Sequence, residues 1–249
     1  MNPATSEPAR STTSPDAIAY HEQLAADWEG RYQKRSFQAR IEVLEECVSG
    51  LNLEGTRWLD AGCGTGTLSR FLAGKRCSVV GMDAASGMID LANQEAREHA
   101  LGTKVRFEVI ETIAHLPTAD VSVDGVLCSS VLEYVANCEQ CLREFARVLK
   151  PGGVLLISVP NAESLVRKGQ VAAHHLGRRL GKRWLAFIEF SKNEYSADEF
   201  AALLENHGFT VKKAISFGSP IPRWLQRWRI GGSLLMYLAV RGASERSGS

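Results

Sequence analysis

The chain has 249 residues, enough for one α/β domain with a full core. Its composition, 45% apolar and 23% charged, is that of an ordinary globular protein, and a net charge of +1 argues against a dedicated nucleic-acid binder while leaving room for a local basic patch. No apolar run reaches the length of a spanning helix, the N-terminus lacks a basic-plus-apolar signal sequence, and six scattered cysteines suit a reducing cytoplasm. Residues 1–15 are rich in Ser, Thr, Pro and Ala and read as a disordered tail. Tyr20, Leu24, Ala25, Trp28 and Tyr32 then recur at helical spacing, and Phe37, Ile41, Leu44 and Val48 continue it. The spacing predicts two helices, roughly 17–32 and 37–50.

The next stretch, R-W-L-D-A-G-C-G-T-G over 57–66, organises the rest. Trp58 and Leu59 close a short apolar run that predicts a buried parallel strand, and Asp60 ends it. Gly62, Gly64 and Gly66 alternate through a turn, and helical spacing resumes at Thr67. Strand, glycine turn and helix make the geometry of a nucleotide-type ligand site, because glycine admits close backbone approach and the helix start offers free N–H groups. A dinucleotide fingerprint needs G-x-G-x-x-G, and its third glycine position is Thr67 here. A turn that holds no ligand is the plain alternative. With Asp60 placed two residues before Gly62, the D-x-G-x-G-x-G pattern resembles motif I of the class I S-adenosylmethionine-dependent methyltransferases, over about 20–241.

The resemblance implies a Rossmann-like, doubly wound α/β fold. Its seven-stranded sheet would be mostly parallel, with an antiparallel last strand, an N-terminal helical lid over 17–50 and a helical insert over 161–192 after the fifth strand. Residues 16–241 would form one domain and 242–249 a flexible tail. The implied cofactor is S-adenosylmethionine, held at Asp60, Ala61, Gly62, Cys63, Gly64 and Gly66. In the lid, Tyr20 and Trp28 would close over the methionine end, or simply pack on the core. Arg40 would pair with the cofactor carboxylate, or face solvent.

Cys77 to Asp83 reads as the second buried strand, ending in an acid about 20 residues past the turn. An ionised carboxylate offers two acceptor oxygens, which suits the vicinal diol of a ribose. Capping the helix that begins near Ser86 is the other role open to Asp83. Ala84 and Met88 would then line the adenine side. Val105 to Ile110 alternates as a third strand. By family resemblance Glu111 would lie near the adenine amino group with Thr112 and Ile113 packed on the ring, and a solvated Glu111 is the alternative. Gly125 to Cys128 reads as a fourth strand, and Ser129, Ser130, Glu133 and Tyr134 follow at the carboxyl end of the sheet. In relatives this segment flanks the methionine part of the cofactor and faces the substrate.

Cys138 and Cys141 form a C-x-x-C without a second ligand pair, in a helical pattern with Leu142 and Phe145, so they read as helix-face cysteines. K-P-G-G at 150–153 predicts a tight turn into a fifth strand, and Ser196 with Glu199 predicts a capping box opening a helix to His207. The last two apolar runs, from Thr210 and from Ser233, read as an antiparallel pair.

Between the fifth strand and the helix that opens at Ser196 lies the insert. Leu165, Val166, Ala172, Ala173, Leu176, Leu180, Trp184, Phe187 and Ile188 form an apolar stripe, with Arg167, Lys168, Arg178, Arg179, Lys182 and Arg183 largely off it. Arg223, Trp224, Leu225, Arg227, Trp228 and Arg229 form a second basic, aromatic cluster. Three readings compete: a plain substrate lid, peripheral contact with an anionic membrane through 161–190 and 223–229, and recognition of an acidic substrate. The ubiquinone-biosynthesis O-methyltransferases are similar in G-C-G, in Glu111-Thr112 and in Leu132-Glu133, but Tyr134 stands where they have His.

The expected activity is O-methylation of a small aromatic, quinone-like or other biosynthetic molecule by a cytoplasmic enzyme. N- or C-methylation remains open, as does the oligomeric state. Candidate bases are Glu133, Tyr134, His174 and His175, and no metal is expected, since no ligand set has metal spacing. The rivals are a nicotinamide-dependent oxidoreductase, against which Thr67 argues, and a non-catalytic lipid-binding module.

Overall fold

The computed structural model describes residues 18, 19, 22, 35–182, 184–218, 222–226, 228 and 230–243. The expected helix over 17–32, the tail over 1–15, Arg183, Arg227 and Arg229 lie wholly or mostly outside these. Seven strands form one sheet in the order β3-β2-β1-β4-β5-β7-β6. They are β1 Arg57–Ala61, β2 Ser78–Asp83, β3 Val105–Val109, β4 Val123–Ser129, β5 Leu149–Pro160, β6 Phe209–Phe217 and β7 Leu234–Arg241. β1 pairs in parallel with β2 and β4, β2 with β3 and β4 with β5, while β7 runs antiparallel to both β5 and β6. The expected mostly parallel sheet with an antiparallel last strand is therefore what the chain builds.

Both faces of the sheet are covered, which explains why its central strands are continuous apolar runs. On one face Trp58, Val79, Leu127 and Leu156 meet Leu44 of helix α1 (Arg35–Val48), Leu68 and Leu72 of α2 (Thr67–Ala73) and Ile89 of α3 (Ser86–Glu98). On the other, Leu59, Val126, Leu155 and Ile157 meet Leu142 and Phe145 of α4 (Cys138–Val148) and, further along, Phe200 and Leu204 of α7 (Ala197–Asn206). α7 opens on the expected capping box, with the Ser196 and Glu199 side chains each accepting from the other's backbone N–H. Cys138 and Cys141 are buried, free thiols on α4.

The insert supplies α5 (Leu165–Arg179) and a short α6 (Phe187–Phe190), and the 223–229 cluster contains the short α8 (Arg223–Gln226). One expectation needs correction. K-P-G-G does not stop short of the fifth strand. β5 begins at Leu149, opposite Val123, and bulges across 150–153 before pairing resumes at Val154 opposite Gly125. Gly152, at φ 76, absorbs the distortion. The insert's apolar stripe is divided, with Val166, Ala173, Phe187 and Ile188 half-buried and much of the rest facing solvent. Leu165, Leu176, Leu180 and Trp184 are exposed, whereas Arg167 and His174 are buried. Arg167 can face inward because Glu194, Ser191 and the Phe187 ring receive its guanidinium there. Among the described residues, no helix is long and apolar enough to cross a membrane.

Candidate functional site

Strand order reverses at β1, whose neighbours are β2 and β4, and the carboxyl ends of parallel strands bind ligands at such a switch point. The glycine turn leaves β1 there. Gly62, Gly64 and Gly66 have φ of 80, 54 and 75, which L side chains rarely adopt. Two of these glycines also make room for protein. A Cβ on Gly62 would lie 2.3 Å from Val131 Cγ2, and one on Gly66 would lie 2.3 Å from Phe107 Cζ. The turn is thus pressed against the segment after β4 on one side and against β3 on the other. Ala61 and Cys63 are buried within it.

Asp60 and Asp83 end β1 and β2 side by side. The Asp60 carboxylate is buried and accepts from Ser69 Oγ at 2.5 Å. Burial pushes its carboxyl up to about 7, against the lowering effect of that hydrogen bond, and the nearby Asp83 charge adds to the rise. Asp83 is half-buried, and its Oδ2 accepts from Gly64 N at 2.8 Å and its Oδ1 from Ala85 N at 2.9 Å. Desolvation raises its carboxyl, and those backbone donors oppose the rise. One carboxylate therefore ties the glycine turn to the start of α3. The helix-capping role considered for Asp83 is not met: the N-cap of α3 is Ala85, no side chain caps it, and Asp83 accepts instead from the Ala85 N–H itself. Glu22, from the otherwise undescribed N-terminal segment, accepts from Ser86 Oγ and from Gly87 N at 3.0 Å, and Ile18 packs on Ala85 and Met88. Met88 is buried and Ala84 half-buried.

Beyond β3, Glu111 is exposed, while Thr112 and Ile113 are buried, Thr112 Oγ1 accepting from Ala114 N. Ser129, which ends β4, and Ser130 just past it are half-buried, and both engage Ser158 of β5. Ser130 sits at φ 59, and its Oγ accepts from Arg40 Nη2 at 3.2 Å, so the cation of α1 reaches the mouth of the site. Tyr20 and Trp28 lie outside the described residues.

Glu133 occupies a single 3-10 turn, Leu132–Tyr134, just past β4. It is 6% exposed, and its Oε2 is the one buried side-chain N or O without a hydrogen-bond partner among the described residues. Burial pushes its carboxyl up to about 7. Its own backbone hydrogen bond and the charges of Arg40 and Arg167 oppose this, and Glu194 adds to it. An orphaned buried carboxylate oxygen is costly and marks a place where a ligand donor belongs. Tyr134 is buried beside it. The two histidines part company. His174 faces inward with Nδ1 at 2.9 Å from Trp184 O, which occupies that nitrogen, and His175 is exposed. Among the described residues no group of three or more His, Cys, Asp or Glu side chains could hold a metal ion. Sequence reasoning missed Arg167, Ser158 and Glu194. Their positions depend on how the insert and β5 pack, and nothing in local spacing carries that.

Comparison with known proteins agrees with this geometry. A family model described as a methyltransferase domain matches residues 59–157. The chain is 31% identical over 181 residues to a ubiquinone biosynthesis O-methyltransferase of Xanthomonas oryzae pv. oryzae (strain PXO99A), covering 72% of this chain and 73% of the relative. It is 30% identical to one from Ruegeria sp. (strain TM1040), covering 86% and 91%. Magnesium protoporphyrin IX methyltransferase from Synechocystis PCC 6803, solved with bound S-adenosylhomocysteine, superimposes with a TM-score of 0.69 at 21% identity, covering 91% of this chain and 99% of that one.

Proposed function

The chain belongs to the class I S-adenosylmethionine-dependent methyltransferases, and from that premise we propose that it methylates a hydroxyl oxygen of a small molecule, with Glu133 as the proton acceptor. The observation that carries the reading is the orphaned, buried Oε2 of Glu133 at the carboxyl end of β4. A carboxyl near neutrality is matched to removing a proton from a hydroxyl or phenol at neutral pH.

The residues present fit the cofactor. Asp83 offers two oxygens to a diol, and the backbone donors of Gly64 and Ala85 hold it at the turn. Arg40 and the Ser129–Ser130 pair supply donors for a carboxylate, and Asp60 lies beneath the turn that they flank. Ala61, Gly62, Cys63, Gly64 and Gly66 would line the turn side. Ala84, Met88, Glu111, Thr112 and Ile113 would surround the adenine, with Tyr20 and Trp28 closing the other end.

Bound S-adenosylmethionine supplies an electrophilic methyl group on a sulfonium. The chain's own task is to hold an acceptor oxygen in line behind it, keep water out and take the proton. In that transfer the S–methyl bond would be given up, its electron pair staying on sulfur as a neutral thioether, while the acceptor's O–H proton would pass to Glu133 Oε2. Tyr134, buried next to Glu133, would order the acceptor. His174 is already engaged through Nδ1, and His175 is exposed to solvent, so neither is placed for this step as Glu133 is.

Relatives named for ubiquinone biosynthesis favour a quinone-like or aromatic acceptor. The test is methyl transfer from labelled S-adenosylmethionine to a panel of phenols, catechols and hydroxyquinones. Glu133→Gln should lower kcat about a hundredfold while S-adenosylhomocysteine still binds in calorimetry. Full turnover in Glu133→Gln overturns the base assignment, and no binding of S-adenosylhomocysteine by the wild type overturns the reading whole.

One observation favours a second property of the same enzyme. Six of the nine exposed large apolar side chains among the described residues fall in the insert and the 223–229 cluster, Leu165, Leu176, Leu180, Trp184, Trp224 and Trp228, and Ile230 directly follows that cluster. Exposed Lys168, Arg178, Arg179 and Lys182 accompany them. Exposed leucine and tryptophan beside lysine and arginine suit peripheral contact with an anionic membrane.

A further inference from the structure

The insert spends a buried charge where a leucine would serve. Arg167, with its side chain 5% exposed, stands on the inner face of α5, while Leu165 and Leu176 of the same helix face solvent. Stability alone favours the opposite arrangement, since a buried ion pair seldom outperforms well-packed apolar side chains. What Arg167 holds suggests why it is there. Its Nε and Nη2 lie 2.8 and 2.7 Å from Glu194 Oε1, and Nη2 also donates to Ser191 Oγ at 2.8 Å. The Phe187 ring flanks the guanidinium at 5.7 Å.

Arg167 thus grips both ends of the segment 191–194, which returns from the insert. That segment is fastened to the Glu133 turn. Lys192 N donates to Glu133 O at 2.7 Å, and Asn193 Nδ2 donates to both Leu132 O and Val135 O at 2.8 Å. The insert, the returning segment and the Glu133 turn are one connected unit, with Arg167 at its centre.

We propose that Arg167 is a positioning residue for Glu133: it seats segment 191–194 on the Glu133 turn and brings a positive charge that favours the ionised carboxylate. The charges around Glu133 support it. Arg40 from α1 and Arg167 from α5 favour the ionised form, Glu194 opposes it, and the thiols of Cys128 on β4 and Cys138 on α4 lie near it as neutral groups. With Glu133 ionised, the two arginines and the two glutamates balance. Without Arg167 the site would hold one cation against two anions. The inference rests on Glu133 being the base, and its test reads the carboxyl itself, so it needs no acceptor.

The full chain is labelled with carboxyl-carbon-13 glutamate and titrated by NMR with S-adenosylhomocysteine present, the Glu133 signal being assigned by its loss in Glu133→Gln. In Arg167→Gln the Glu133 midpoint should rise by about 1 pH unit, and the Lys192 amide should exchange with solvent about tenfold faster. In Arg167→Lys the midpoint should stay near the wild-type value. The amide should still exchange faster, because an ammonium cannot make the forked contact to Glu194 and Ser191. A midpoint that is unchanged in Arg167→Gln overturns the proposal. So does one that falls toward the ordinary glutamate value, since loosening the site would only rehydrate Glu133. If Arg167→Gln does not fold, unchanged Lys192 exchange in Arg167→Lys overturns the seating role. Failure of the wild type to bind S-adenosylhomocysteine sinks the methyltransferase reading instead, and the Glu133 midpoint in Arg167→Gln is then read without it.

Discussion

Asp83 was the residue most open to reading from sequence, and its geometry sharpens the reading. An acid at the end of a second strand, about 20 residues past a glycine turn, specifies a carboxylate beside that turn. The structure adds what fixes it, namely the N–H groups of Gly64 and Ala85 on its two oxygens. Those contacts orient the carboxylate before any ligand arrives, so little ordering remains to be done on binding. On the proposed reading, in which Asp83 receives a ribose diol, Asp83→Ala removes two acceptors from that diol and also frees the glycine turn. S-adenosylhomocysteine affinity should fall at least about a hundredfold, from hydrogen bonds to a charged group worth roughly 1.5–3 kcal/mol each. Calorimetry checks it, and near-wild-type affinity would remove Asp83 from the site. Gly62 and Gly66 carry a different lesson. The pattern made them look like ligand-approach glycines, yet their missing Cβ atoms make room for Val131 and Phe107. Glycine spacing announces a tight turn without saying what comes close to it. Arg167 was not legible at all, because its partners Ser191 and Glu194 are more than twenty residues away, across the insert.

At the scale of elements, strands were easier to place than the insert. β1, β2 and β4 are buried on both faces, and a continuous apolar run between turn residues can hardly be anything else. K-P-G-G looked like a turn because its residues are turn formers, but pairing with β4 on either side draws it into β5 as a bulge. For α5, helical periodicity was legible and its facing was not. A stripe identifies the apolar side, and the partners of Arg167 and His174 decide which side packs. The outward leucines are therefore available for a surface. Wild-type protein should float with phosphatidylglycerol vesicles at low salt and much less with phosphatidylcholine vesicles. Changing Leu165, Leu176 and Leu180 together to serine should cut the floated fraction severalfold. The unfolding midpoint should hardly move, because exposed positions contribute little to stability. Equal flotation of this triple variant, or no flotation of the wild type, removes the membrane property.

Across the whole molecule, the sheet order brings buried acids together at one end, and that has a consequence for stability. Asp60 and Glu133 end or follow β1 and β4, the two strands at the switch point, and burial pushes both carboxyls up to about 7. In the unfolded chain they ionise near 4. Between those values the folded state binds more protons than the unfolded state, so stability falls as pH rises. The stabilisation is fully present below about pH 4 and is lost as pH passes through about 7, each acid accounting for at most a few kcal/mol. Asp124 and Glu144 act in the other direction. Although burial works against it, Lys150 and Arg57 N–H hold Asp124 below the usual carboxylate range, and Arg147 and Leu116 N–H do the same for Glu144. Their contribution is present above about pH 4 and fades as pH falls through their depressed values. The two sets together place the stability maximum on the acid side of neutrality. Thermal unfolding of the ligand-free protein should show its midpoint declining from about pH 5 to pH 8. Pairing Asp60→Asn with Glu133→Gln should flatten that decline, because neither amide can ionise. A wild-type midpoint that rises toward pH 8, or a double variant with an undiminished slope, would show that these two acids are solvated rather than sealed at the end of the sheet.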